Sequence, residues 1–359
     1  MGNYRIATLL APESNATAGT KTIDIDVRKP ISRISIANKV TSAGTVLTAH
    51  PAGDISKIEL IDGSTVLHSL DGYECQALNH YNRKAPLNCF LTDVSSVQTW
   101  QVFDLDFGRW LYDPSYAWDP TRYINPQLRI THNYRTADAA ASASTLEVYA
   151  HAFDKKSVTP VGFLMAKEHR AYTCGSEGTI EPVDLPIDKT IRQLLVRAAA
   201  ADYLPWQVAN KLKLSENSDA VVPMEIQTSA WLKHINSMYP RVVEPAAIAV
   251  NQTARDIYPM ADWQLAFDLT PITVTNILAM EAVNKCSPVA LDTTASDNYT
   301  GTISGVQPHS AFPVPFGDPM NPDDWYNLAG IDKLKLDITA GSAGTNGTVK
   351  VVVESVQKY

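Results

Sequence analysis

The residues of this sequence best suited by type to acid–base or cation chemistry are three pairs of carboxylates, Asp24/Asp26, Asp104/Asp106 and Asp323-Asp324. Glycoside hydrolysis needs two carboxyl groups facing each other across a cleft at about 5–9 Å. Residues two apart in an alternating segment instead share one face of a strand, most often the solvated one, so the first two pairs do not by themselves make such a cleft. Asp323-Asp324, in a proline-rich loop, supplies two of the six to eight oxygens that calcium takes. Ser176 lies in Cys174-Gly175-Ser176-Glu177-Gly178, where the spacing does not match a hydrolase nucleophile elbow. Gly341, Gly344 and Gly347 precede a strand-like segment, whereas a dinucleotide fingerprint opens a helix. The eight histidines are scattered, with no H-E-x-x-H or H-x-H. His80 and Cys75 are the nearest approach to a local metal pair, and a surface or interface role fits His80 better. Cys75, Cys89, Cys174 and Cys286 form no C-x-x-C pair and read as reduced, mostly buried thiols. The expectation is a chain without catalytic residues, metal site or cofactor, and not an enzyme.

Aromatic side chains in loops are the one cluster with functional content. Trp110, Trp118 and Tyr123, with Tyr112 and Tyr116, crowd one loop, and Trp325 and Tyr326 occupy another. Tryptophan and tyrosine are favoured in interface cores, so Trp110, Trp118, Tyr123, Trp325 and Tyr326 are candidate anchors of loops or of subunit contacts. Stacking of a sugar on Trp118 and Trp325 is the alternative use.

The elements that must carry these residues are strands. Ile23-Asp24-Ile25-Asp26-Val27, Ile34-Ser35-Ile36, Leu128-Arg129-Ile130-Thr131 and Leu334-Lys335-Leu336-Asp337-Ile338 alternate apolar and polar residues, placing every second side chain on one face. Asp62-Gly63, Asp71-Gly72, Ala52-Gly53-Asp54 and Asn346-Gly347 read as turns, the last as a two-residue hairpin. The 22 prolines, many in 308–322, are expected to mark long ordered loops rather than central strands. Tyr73–Tyr81 and Thr228–Met238 have the apolar spacing of short helices. The stretch 190–203 reads as strand to about residue 197.

The chain also repeats itself. Phe107-Gly108, an aromatic loop, Leu128-Arg129-Ile130, a small-residue turn and Thr145–Ala150 recur as Phe316-Gly317, a loop with Trp325, Leu334–Ile338, the turn 341–347 and Thr348–Val353. Ile31–Ile36 parallels Ile191–Val196, Ile58–Leu60 parallels Leu212–Leu214, and Trp100–Leu105 is matched with Trp263–Leu269. A period near half the chain fixes the architecture as two copies of one unit. The division falls at 1–160 and 161–359, with an extended N-terminal arm over about 1–20 and a long insertion at about 270–315 in the second copy.

At 359 residues, 45% hydrophobic and 19% charged, the chain can bury a core in each half. A net charge of −8 without a dense Lys/Arg block argues against direct binding to nucleic acid. The N-terminus lacks the apolar region of a secretion signal, which points to synthesis in a cytoplasm.

The tandem halves, their matching short helices and the long second-half loop resemble the double jelly-roll major capsid proteins of tailless icosahedral viruses. Ile58-Glu59-Leu60-Ile61-Asp62-Gly63-Ser64 followed by the Tyr73–Tyr81 helix is similar to those of bacterial viruses with an internal membrane. The resemblance implies an all-β fold of two tandem jelly rolls and a self-assembling structural protein of the virion, made in the host cytoplasm. It implies homotrimeric, pseudo-hexagonal capsomers meeting neighbouring capsomers, penton or spike proteins and minor capsid proteins, with outer loops as towers and a base toward lipid. A carbohydrate- or receptor-binding β-sandwich module is the alternative function.

Overall fold

A computed structural model describes residues 2–250, 255–271, 278–281, 289–293 and 297–359. Cys286, and part of the expected insertion, lie outside them. The first half runs β1 (Tyr4–Asn15), β2 (Gly19–Asp24), β3 (Ile31–Thr41), β4 (Ile55–Asp62), β5 (Thr65–Leu70), helix α1 (Gly72–Arg83), the short β6 (Leu91–Thr92), β7 (Gln98–Asp106), β8 (Pro126–His132) and β9 (Ser144–Phe153). Its strands form two facing four-strand sets in the orders β1-β9-β3-β7 and β2-β8-β4-β5.

The second half begins with β10 (Gly162–Thr173), β11 (Ile180–Leu185), β12 (Ile191–Ala199), a one-turn helix α2 (Pro205–Val208), β13 (Ala209–Glu216), β14 (Val221–Gln227) and α3 (Thr228–Met238). Among the described residues, six strands are then inserted: β15 (Val242–Val250), β16 (Arg255–Ile257), β17 (Ala261–Pro271), β18 (Leu278–Glu281), β19 (Val289–Thr293) and β20 (Asp297–Pro308). The half closes with β21 (Ala311–Pro315), β22 (Leu334–Ala340) and β23 (Thr348–Lys358). Its two sets, β10-β23-β12-β21 and β11-β22-β13-β14, repeat the first half strand for strand. Each half is a jelly roll, and the expected all-β fold of two tandem jelly rolls is what the chain adopts.

Alternation explains the packing. Ile34 and Ile36 of β3 lie beside Ala150 and Val148 of the neighbouring β9 in the first sandwich core, all without solvent exposure. Full burial of each large aliphatic side chain contributes about 1.5–3 kcal/mol. The second core gathers Leu194, Val196, Leu212, Leu336, Ile338, Val351 and Val353. The repeat extends to single hydrogen bonds. Asp62 Oδ1 accepts from the amides of Ile124 and Asn125 at 3.1 and 2.7 Å, and Asn217 Oδ1 accepts from Asp332 and Lys333 at 2.8 and 3.2 Å. Each side chain ties the turn after its strand to the long loop before β8 or β22.

The halves share a sheet: β5 and β10 meet in parallel at Ser69 and Lys167, making one eight-stranded sheet from β2 to β21. Both sequence-predicted helices form, in equivalent connections, and α1 starts on a capping box between Asp71 and Glu74. Asp71-Gly72 is therefore a helix start rather than a free turn.

Several expectations are corrected. Residues 4–15, assigned to an arm, pair with β9 as an edge strand. Trp263–Leu269 belongs to inserted β17, and the true counterpart of β7 is β21, which like β7 ends just before a Phe-Gly pair. Its sequence Ala311-Phe312-Pro313-Val314-Pro315 hid it, because proline is admitted on an edge strand and β21 is one. The insertion thus occupies the α3–β21 connection and ends before residue 311. It is a folded layer: β17-β20-β15-β6 form one sheet, β16-β19-β18 another, with Ile248, Ile257, Tyr299 and Ile303 packed beside Leu47 and Leu91 of the first half. Asn346-Gly347 is no hairpin either, since β22 and β23 lie in different sheets and a 3-10 turn over Gly344–Asn346 carries the chain across.

Candidate functional site

The aromatic candidates divide sharply by exposure. Trp118 is 0% exposed, its backbone paired with Ile31 at the head of β3 and its ring packed on Phe107 at 5.5 Å. Tyr123 covers it, ring centroids 5.8 Å apart, and burial pushes the Tyr123 phenol up to about 12. Trp325 is 4% exposed, lies against Leu164 and Val356, and donates Nε1–H to Pro319 O at 3.1 Å. Tyr326 hydrogen-bonds Glu216 and its amide donates to Ile191 O, as the Trp118 amide does to Ile31 O. These four residues anchor loops across the ends of the sandwiches. A sugar cannot stack on Trp118 or Trp325, because neither indole face reaches solvent.

Trp110 differs: it is 45% exposed, with the Arg109 guanidinium 4.4 Å above its ring. Leu111 and Met320 are exposed beside it, and Arg109 Nη1 donates to Met320 O, so the patch bridges loops of both halves. Tyr112 continues it to the edge strand, stacking on Tyr4 at 3.9 Å, with Ile6 two residues further on and exposed. Of the five candidates, Trp110 alone is solvent-exposed.

Charge concentrates where the halves meet. Arg192 of β12 and Glu354 of β23 form a buried ion pair at 2.8 Å, joined by Gln193 and by Asn82 of α1. Nearby, Asp71, Glu74 and Glu168 lie close enough to share one cation, and the Lys350 ammonium occupies that place, 2.9 Å from Asp71 and 2.6 Å from Glu168. Burial draws the lysine pKa down, but the three carboxylates outweigh it and hold the ammonium charged. Burial, with Asp71 beside it, raises the Glu74 carboxyl well above its ordinary value. The lysine makes this a salt-bridge node. The Asp104/Asp106 pair is likewise structural: both carboxylates are held by Arg83, and Asp106 by Arg33 as well, where a solvated face had been expected.

Histidines stitch the inserted layer to the first jelly roll. His50 Nδ1 accepts from the Ala52 amide, so Nε2 carries the proton and donates to Glu244 Oε1 of β15 at 2.8 Å. His309 Nε2 meets Gln76 Oε1 of α1 at 2.9 Å, and burial, with His50 and Arg197 adjacent, drives its pKa well below the ordinary value. A cleft of about 540 Å³ opens here, walled by both jelly rolls and the insertion. Cys75, Cys89 and Cys174 are buried free thiols. The junction network was invisible in sequence because its partners lie more than a hundred residues apart; only the Asp71/Glu74 capping box left a local mark.

No protein-family model and no curated protein matches the chain. Solved structures do, over nearly their whole length. The major capsid protein of Sulfolobus Turreted Icosahedral Virus superposes with a TM-score of 0.62 at 11% identity, covering 99% of this chain and 97% of that one. The major capsid protein from Bacteriophage PM2 gives 0.55 at 10%, covering 99% and 98%. A chain of the PBCV-1 virus capsid gives 0.58 at 10%, covering 99% and 94%. These likenesses establish a shared fold.

Proposed function

We propose that this chain is the major capsid protein of a tailless icosahedral virus: a structural, non-enzymatic subunit that forms homotrimeric, pseudo-hexagonal capsomers. The observation that carries the reading is architectural. Two complete jelly rolls are fused through one sheet, and that plan matches capsid proteins end to end rather than through one domain. Two equivalent units per chain let three chains present six similar flanks to their neighbours, as closed tiling requires. We place the division at 1–160 and 161–359, since β9 ends at Phe153 and β10 starts at Gly162. The inserted layer then forms the outward projection. The opposite loop end faces the interior and, in a virus with an internal membrane, lipid. Penton or spike and minor capsid proteins complete the set of partners, with synthesis in the host cytoplasm and residence in the virion.

Burial of Trp118 and Trp325 removes the platform of the carbohydrate-binding alternative. Electron microscopy of the concentrated, purified chain tests the proposal: hexagonal-outline particles or shells are expected, and featureless monomers under all assembly conditions would refute it.

A further inference from the structure

Among the described residues, arginines that are not solvent-exposed follow a rule with one exception. Arg33, Arg83, Arg109 and Arg192 each meet a carboxylate at 2.5–2.8 Å. Arg197, half-buried on β12, has none within ion-pair distance among the described residues. An arginine in a cleft wall without a counter-charge departs from that pattern, and its terminal nitrogens stay open to the cleft and not sealed in the core. Arg197 is nonetheless fixed in place. Its Nε donates to His309 O at 3.0 Å and its guanidinium lies 4.6 Å from the centre of the Tyr73 ring. It stands directly across the strand pair from Lys350, a like charge that adds to the cost of leaving it unpaired. Lys350 itself is taken up by Asp71 and Glu168. The one carboxylate lining the cleft near Arg197, Asp262, is almost fully buried and accepts from Ser310 Oγ at 2.7 Å.

We propose that Arg197 anchors a ligand site in the junction cleft, receiving there the oxyanion, phosphate or carboxylate, of a small molecule. Its Nη1 and Nη2 make no hydrogen bond among the described residues, and guanidinium geometry suits two parallel bonds to such a group. Asn346 and Thr348 bring further polar groups to the same cleft. Ala199, Ala200, Tyr258 and Pro259 give it an apolar wall, and about 540 Å³ exceeds the needs of a bare anion. The fitting class is therefore an oxyanion joined to a compact planar or apolar body. The site joins both jelly rolls to the inserted layer, so its occupant would tie the three together.

Inorganic phosphate and phenyl phosphate, titrated into the full-length chain at constant ionic strength, test this by ³¹P line broadening and by the thermal midpoint. Saturable binding is expected, tighter for phenyl phosphate. Arg197→Gln should raise the Kd about tenfold or more. Arg197→Lys, which keeps the charge but not the fork, should fall between. The broadening is read on the unaltered chain, so a poorly folding variant does not spoil the test. Absence of saturation there, or undiminished binding in Arg197→Gln, would overturn the proposal. Equal affinity for both probes would overturn the assignment of the apolar wall.

Discussion

Removing the Glu354 carboxylate should destabilise the chain far more than removing it together with its partner. Glu354 Oε2 accepts from Arg192 Nη1 and Gln193 Nε2 at 2.8 and 2.7 Å, and Oε1 accepts from Asn82 Nδ2 at 3.0 Å. The paired side chains are 1% and 3% exposed, so water cannot replace the lost acceptor. Glu354→Ala leaves the Arg192 guanidinium buried with Asn82 Oδ1 as a neutral acceptor in place of the carboxylate and removes the acceptor of Asn82 Nδ2, and breaking a buried ion pair from one side costs about 3–5 kcal/mol. For a unit of roughly 200 residues that lowers Tm by about 6–20 °C. Arg192→Met with Glu354→Leu removes both charges and refills the volume, and should recover most of the loss. Urea unfolding of the wild type, both single variants and the double gives the coupling energy, expected above about 2 kcal/mol. Additive single effects, or a Glu354→Ala cost below about 1 kcal/mol, would refute the view that this pair is sealed from solvent and joins α1 to the second jelly roll.

Other outcomes follow from the same geometry. Burial holds the Asp54 carboxyl up at about 7 against 3.8, so the folded chain keeps a proton that the unfolded chain has lost between those values. Its stabilising contribution is complete below 3.8 and vanishes as pH rises through 7; Asp54→Asn should flatten that part of a stability–pH curve. His68 has the opposite sign: burial lowers it to about 3, so the fold loses stability as pH falls from 6.5 toward 3, and omission of that acid-side loss in wild-type titrations would contradict its burial. Trp118→Ala should cost about 3–5 kcal/mol in denaturation. Trp110→Ala should leave stability within about 0.5 kcal/mol yet weaken self-association measured by sedimentation. At Gly72 an added Cβ would sit 2.1 Å from Ala52 O, so Gly72→Ala should displace α1 and cost about 1–3 kcal/mol, measurable by chemical denaturation.

Sequence reasoning succeeded where one face is wet and the other dry. Leu334–Ile338 and Ile34–Ile36 alternate because their sheets have a core side, and the tandem order was readable because both halves solve the same packing problem. It failed on edges. β1 is largely exposed and so does not alternate, and β21 carries two prolines that only an edge tolerates. The string shared by Trp100–Leu105 and Trp263–Leu269 is a coincidence of strand composition, whereas the Phe-Gly pairs were the true register mark. Aromatic residues in loops read as exposed anchors, yet Trp118 and Trp325 are buried because those loops fold back over the sandwich ends. The junction was beyond reach, since nothing local pairs Arg192 with Glu354.

Self-association of the double jelly roll can be measured by light scattering of the purified chain over a wide concentration range. A stable species at three times 39.3 kDa, persisting on dilution, is expected. A species that stays at 39.3 kDa at every concentration would contradict it.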